Sequence, residues 1–123
     1  MRPGTWIALG ALSAALAVAC GAFGAHALRM RLDAAQLDIW KTAVLYHALH
    51  ALALILFGLF RGRFAATNFA GWAFLAGVLL FSGSLYLLAT TGQRWLGAIT
   101  PLGGIAFLLG WLILAWQAWR GRG

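Results

Sequence analysis

The sequence predicts an all-α integral membrane protein, an antiparallel up-down four-helix bundle forming a single transmembrane domain over residues 1–123. Three observations predict it. The chain carries only nine Lys and Arg and two Asp and Glu, against roughly a quarter charged residues in a soluble domain. Those charges are confined to Arg2, Arg29 to Lys41, Arg61 to Arg63, Arg94, and Arg120 onward, which leaves four charge-free stretches: Pro3 to Leu28, Thr42 to Phe60, Phe64 to Gln93 and Trp95 to Trp119. A helix needs about 20 apolar residues to cross the hydrocarbon core, and these stretches are near that length or longer. Finally, Trp6, Trp40, Trp72, Trp95, Trp116 and Trp119 fall near the predicted helix ends, where amphipathic rings favour the membrane interface. A transmembrane β-barrel is excluded, because its strands alternate polar and apolar residues in segments of about ten.

Helix one is expected over about residues 5–28. Its Gly10, Ala14, Ala17, Gly21 and Gly24 recur at three or four residues, giving one face nearly without side chains, against which a neighbouring backbone can pack closely. This run reads as a span and not as a signal peptide. Although Ala17-Val18-Ala19 before Cys20 loosely resembles a lipoprotein cleavage site, the apolar sequence continues through Gly21 to Leu28. Helix two is expected over about 36–60, with Asp33 a candidate N-cap and no Gly or Pro from Ala34 until Gly58. Arg61-Gly62-Arg63 reads as a tight turn into helix three, about 65–89, and Gly92 as the terminator beyond it. Helix four is expected over about 96–119. Pro101 removes its own hydrogen bond to the Gly97 carbonyl, so with Gly103 and Gly104 it predicts a kink near the start.

The net charge of +7 would suggest nucleic acid in a soluble chain. Here the Arg residues flank apolar runs and anchor helix ends at lipid headgroups, so the lipid bilayer is the expected partner and nucleic acid is not. The single cysteine, Cys20, makes no intrachain disulfide. Four spans place both termini on one side with Arg2, Arg61, Arg63, Arg120 and Arg122, against Arg29, Arg31, Lys41 and Arg94 on the other. An excess of one positive charge predicts cytoplasmic termini.

Alternation of helix direction gathers the polar residues toward the side of the long first loop: His26 on helix one, Thr42, Tyr46, His47 and His50 on helix two, Ser82, Ser84, Tyr86 and Thr90 on helix three, and Thr100 on helix four. Thr42, Tyr46 and His50 form one i, i+4 stripe and Ser82, Tyr86 and Thr90 another. Facing stripes predict a cluster of His26, Tyr46, His50, Ser82, Ser84, Tyr86 and Thr100. Such a cluster is interhelical adhesion, each contact contributing about 0.6 kcal/mol, or else a small ligand or proton site, since polar groups inside a membrane often carry function. A metal held by His47 and His50 with His26 lacks any carboxylate within a span. A bis-histidine haem would need His26 and His50 at matched depth, and His50 lies roughly 12 Å further in. No metal and no cofactor is therefore expected. No constellation of nucleophile and base is present either, so the expectation is a protein without catalytic activity.

Four motifs then fall in order: Gly21-Ala22-Phe23-Gly24-Ala25-His26; Trp40, Thr42, Ala43 and Tyr46 followed by His50-Ala51-Leu52; Phe81-Ser82-Gly83-Ser84-Leu85-Tyr86; and Ile99-Thr100-Pro101-Leu102-Gly103-Gly104 with Gly110-Trp111. Together they resemble the YgdD-like family of small inner-membrane proteins, also known as domain of unknown function 423, which includes the animal transmembrane protein 256. The resemblance implies a four-helix protein of the bacterial inner (plasma) membrane and no established activity. It places His26, His50, Ser82, Ser84, Tyr86, Thr100 and Pro101 at motif positions and His47 outside them. The function expected is that of an accessory or structural component, binding another membrane protein or self-associating. The alternatives are small-solute or proton permeation, or haem or quinone binding, at the polar cluster.

Overall fold

The computed structural model describes residues 1–121. Arg122, counted among the terminal-side cations, lies outside the described residues. Four helices are long and apolar enough to cross a membrane, and no strand occurs among the described residues. The first, α1 (Pro3–His26), has Pro3 at its start, where no N–H is needed. It ends two residues before the expected Leu28, in a short 3₁₀ turn over Leu28–Met30.

Helix α2 (Ala34–Arg63) begins at the cap the sequence predicts. Gln36 N–H donates to the Asp33 carboxylate at 2.8 Å while Asp33 N–H donates to the Gln36 side chain at 2.9 Å, satisfying two otherwise orphaned donors. At its other end the helix continues through Arg61-Gly62-Arg63, which was expected to turn. The cations at its C-terminus suit the helix dipole. Arg61 also donates to the carbonyls of Ala66 and Met1, which ties the start of α1 and the following loop to the helix end. The chain reverses only at Phe64, whose backbone is extended.

The third span, Phe69–Thr91, is not one regular helix. It comprises α3 (Phe69–Gly77), a π-helical turn over Val78–Ser82, and α4 (Gly83–Thr91). The Gly83 N–H reaches back five residues to the Val78 carbonyl. Gly92 terminates the span with φ +71°, the left-handed conformation that favours glycine. The last helix, α5 (Leu96–Arg120), runs unbroken through Pro101, and Thr100 donates its hydroxyl to the Leu96 carbonyl at 3.4 Å.

Helix α2 is the central and most buried span. Against it lies α1, antiparallel: a Cβ on Gly10 would stand 2.8 Å from the Ala51 carbonyl oxygen, one on Gly58 would stand 2.9 Å from the Pro3 oxygen, and one on Gly24 would enter the Trp40 ring. The small face of α1 is used unevenly, with Gly10, Ala17 and Gly24 buried and Ala14 and Gly21 half-buried. At Gly21 an added Cβ would meet only Val44, at 3.4 Å, an ordinary contact. The third span and α5 pack by the same device. Gly77 leaves room for the Phe107 ring, Gly110 for the Phe74 ring, and Gly103 for the Phe81 backbone, whose Cα a Cβ there would approach to 2.7 Å. Without a water-driven hydrophobic effect between helices, such close backbone approach is what supplies dispersion contact inside a bilayer.

Two of the tryptophans read as interface rings are core residues. Trp6 is fully buried, stands edge-on to Phe57 and Trp72, and donates its indole N–H to Asn68 Oδ1 at 2.9 Å. Trp40 is buried and donates to the Cys20 carbonyl at 2.9 Å. The remaining four, Trp72, Trp95, Trp116 and Trp119, are exposed.

Candidate functional site

Because α2 has neighbours on several sides, its inward residues reach in different directions, and the polar groups form four separate connections in place of one cluster. Around His47 the side chains of three helices meet: Nε2 lies 3.1 Å from the Ser13 hydroxyl of α1 and Nδ1 lies 2.9 Å from the Tyr86 hydroxyl of α4. His47 and Ser13 are buried, and both stand near the middle of their helices by residue count. Their meeting point is therefore mid-helix, further from the first loop than the position expected of the polar residues.

One turn along α2, His50 faces α5. Its Nδ1 donates to the Tyr46 carbonyl at 2.8 Å, Nε2 accepts the Trp111 indole N–H at 3.0 Å, and its ring lies flat on Phe107 with centroids 3.5 Å apart. The indole is a donor only, so Nε2 must be the unprotonated nitrogen and the proton sits on Nδ1. His50 is thereby held as a neutral ring in a single tautomer, its Nε2 lone pair engaged by the indole and its Nδ1 proton by the Tyr46 carbonyl. The two histidines differ here. Hydroxyls both donate and accept, so His47 can adopt either tautomer, or carry a second proton, with both of its bonds kept.

The serines close the other connections. Ser82, fully buried at the end of the π turn, donates to the Ala43 carbonyl of α2 at 2.8 Å. Ser84, two residues on, points the opposite way and meets the Thr100 hydroxyl of α5 at 2.6 Å while bonding the Phe81 carbonyl. A serine pair therefore links the third span to helices on both of its sides.

Of the expected cluster His26 and Tyr46, and of the two stripes Thr42 and Thr90, make no side-chain hydrogen bond to another helix. His26 is exposed at the end of α1. Tyr46 is exposed and lays its ring against Phe81 at 4.6 Å between centroids. Thr42 and Thr90 are exposed and return their hydroxyls to the carbonyls of Asp38 and Tyr86 on their own helices, which satisfies them without a neighbour. Sequence reasoning missed Ser13, His47 as a bonded group, and Trp111 as a donor. For Trp111 a signal existed, since it is the one tryptophan that falls within a span. Ser13 gave a weaker one, as the only hydroxyl within helix one beyond its first turn.

Residues 20–104 match the model of a family described as a protein of unknown function, DUF423. The chain is similar to a UPF0382 membrane protein of Staphylococcus epidermidis, 49% identical over 110 residues that cover 89% of this chain and 90% of the relative. It is likewise similar to the UPF0382 membrane protein YwdK of Bacillus subtilis, 46% identical over 112 residues covering 89% and 91% of the two chains. No solved structure matches it.

Proposed function

The chain belongs to the DUF423 family and is a multi-pass membrane protein, and on that premise we propose that it acts as an accessory or structural component of the plasma membrane, without catalytic activity of its own, by binding another membrane protein or a second copy of itself. One observation carries the reading. Along the outer face of α1, opposite its contact with α2, runs a strip of Gly4, Ala8, Ala11, Ala15, Ala19 and Ala22, all exposed and lying within an arc of about 80° on a helical projection, with the exposed Leu12 and Val18 at its two edges. Elsewhere the outward face is bulky, with Leu45, Leu49, Leu52 and Leu56 on α2 and Leu102, Ile105, Leu108 and Leu112 on α5. Lipid chains pack well on leucine, whereas a strip of alanine lets a second helix approach closely. A photo-crosslinking side chain at position 15 should give protein adducts in native membranes, and one at position 108 only lipid adducts. Equal patterns at the two positions would remove the reading. On the same reading no haem is bound, and the purified protein should show no visible absorption band. The excess of one cation predicts that the termini face the cytoplasm.

A second reading, proton handling within the bilayer, is favoured by the Ser13–His47–Tyr86 chain, because an ionisable group within a span is costly and His47 keeps its bonds in every protonation state. Proteoliposomes with an internal pH dye test it. The reading requires faster proton entry with the wild type than with His47→Phe, and equal rates would end it.

A further inference from the structure

We propose that the flank of the α1–α2 pair nearest the first loop is a binding site for one anionic phospholipid, its phosphate held by Arg29 and Lys41 and an acyl chain lying in the groove below them. The groove is a cavity of about 370 Å³ between the second half of α1 and the first half of α2, walled by Gly21, Ala25, Leu37, Val44, Leu45 and Ala48. It adjoins a second cavity of about 290 Å³ that shares Gly24, Ala25, Leu37 and Lys41 with it and adds Arg29. Apolar wall and cationic mouth are thus continuous.

Each part has a reason in the sequence. Gly21 and Ala25 project little or nothing from α1, and Ala48 little from α2, so a trough remains where larger side chains would close the crossing of the two helices. Arg29 lies in the 3₁₀ turn just beyond α1 and Lys41 two turns into α2, so both sit at the membrane edge on the same side. Asp33, in the loop after Arg29, accepts the Gln36 N–H, and Asp38, three residues before Lys41 on α2, is exposed. From Lys41 to Ala48 the helix rises about 10 Å, enough for the upper two-thirds of an acyl chain in a leaflet about 15 Å deep. A guanidinium and an ammonium converging above an apolar trough complement a phosphate diester joined to a hydrocarbon tail; a zwitterionic headgroup would bring its own cation against them.

Native mass spectrometry of the purified chain with dioleoylphosphatidylglycerol, dioleoylphosphatidylcholine and free glycerol phosphate tests the assignment. The expected result is one phosphatidylglycerol retained at least ten-fold more strongly than phosphatidylcholine, no retention of glycerol phosphate, and a loss of about five-fold for Arg29→Gln or Lys41→Gln. Arg94→Gln, a charge loss on the same side of the membrane, should change nothing. Ala48→Leu fills the trough without altering charge and should also weaken retention, so it decides the matter if a charge variant fails to fold. Equal retention of the two lipids, or full retention by Ala48→Leu, overturns the proposal. Binding of glycerol phosphate alone would overturn it too, by making the cations a free phosphate site.

Discussion

The indole N–H of Trp111 on α5 points at Nε2 of His50 on α2, 3.0 Å away, so the central helix is tied to the last one through a histidine that can hold its proton on only one nitrogen. Trp111→Phe removes the donor and leaves a buried acceptor unpaired, and should lower stability in detergent unfolding by about 1–2 kcal/mol. His50→Phe orphans the indole N–H instead, at similar cost. The double variant removes both partners while keeping an aromatic ring on Phe107, and should be less destabilised than the two single changes added together. Strict additivity would mean that the contact is geometric coincidence.

A parallel contrast separates the bonded hydroxyls from the merely polar ones. Ser13→Ala and Tyr86→Phe each strip one partner from His47 and should cost about 0.6 kcal/mol, and at most about 1.7, on the scale of hydrogen bonds measured between membrane helices. Thr42→Ala and Thr90→Ala remove hydroxyls that bond only their own helix and should change stability by a few tenths of a kcal/mol at most. Comparable losses from all four would show that the Ser13–His47–Tyr86 chain is not a distinct feature.

The same distinction shows what the sequence could convey. Span number, the Asp33 cap and the Gly92 terminator follow from local chemistry, because a charge-free run, a capping box and a left-handed glycine act within a few residues of themselves. The placement of the polar residues depends on how many neighbours a helix has. A single i, i+4 stripe through Thr42, Tyr46 and His50 suits a helix with one buried face, whereas α2 is central and turns both His47 and His50 inward. The stripe's outer members, Thr42 and Tyr46, are the ones left exposed. Nor does the segment Val78-Leu79-Leu80-Phe81-Ser82 carry a Pro or a Gly to announce an irregular turn.

Close backbone approach along α1 is localised, and the glycines should respond unequally. Gly10→Leu and Gly24→Leu drive side chains into Ile55 with the Ala51 carbonyl, and into the Trp40 ring, and should cost about 1–3 kcal/mol or prevent folding. Gly21→Leu faces Val44 only at ordinary contact distance and borders the groove, so it should cost less than about 1 kcal/mol. Leu12→Ala, exposed on α1, should be close to neutral. Thermal unfolding in detergent orders the four, and a Gly21 variant as damaging as the Gly24 one would contradict the observed contacts.

Topology follows from the four spans. A reporter fused after the C-terminus and one inserted near Ala35 should lie on opposite sides of the membrane, with the C-terminal one cytoplasmic. Same-side signals would contradict the span count, and a reversed pair would refute only the charge bias.

The π turn makes the most unusual demand on the chain, because it amounts to one residue inserted into an otherwise α-helical span. On either side of it α3 and α4 both present their small or polar residues inward: Gly71 and Gly77 before it, Ser84 and Ala89 after it. Removing one residue from the turn should therefore restore ordinary i to i−4 bonding with both flanks still facing their partners. Leu79 is the residue to remove, since it is exposed and its loss takes little from the core. Leu108 is as exposed, but it lies within the unbroken α5. Its deletion would turn everything beyond it by about 100°, carrying Gly110, Trp111 and Gln117 away from Phe74, His50 and Thr67. The expected outcome is a folded protein without Leu79, weakened by about 1–2 kcal/mol through readjustment of Ser82 against Ala43, and no folded protein without Leu108. Expression in membranes and thermal unfolding distinguish the two, and equal failure of both deletions would mean that the extra residue is itself required by the contact between Gly103 and the Phe81 backbone.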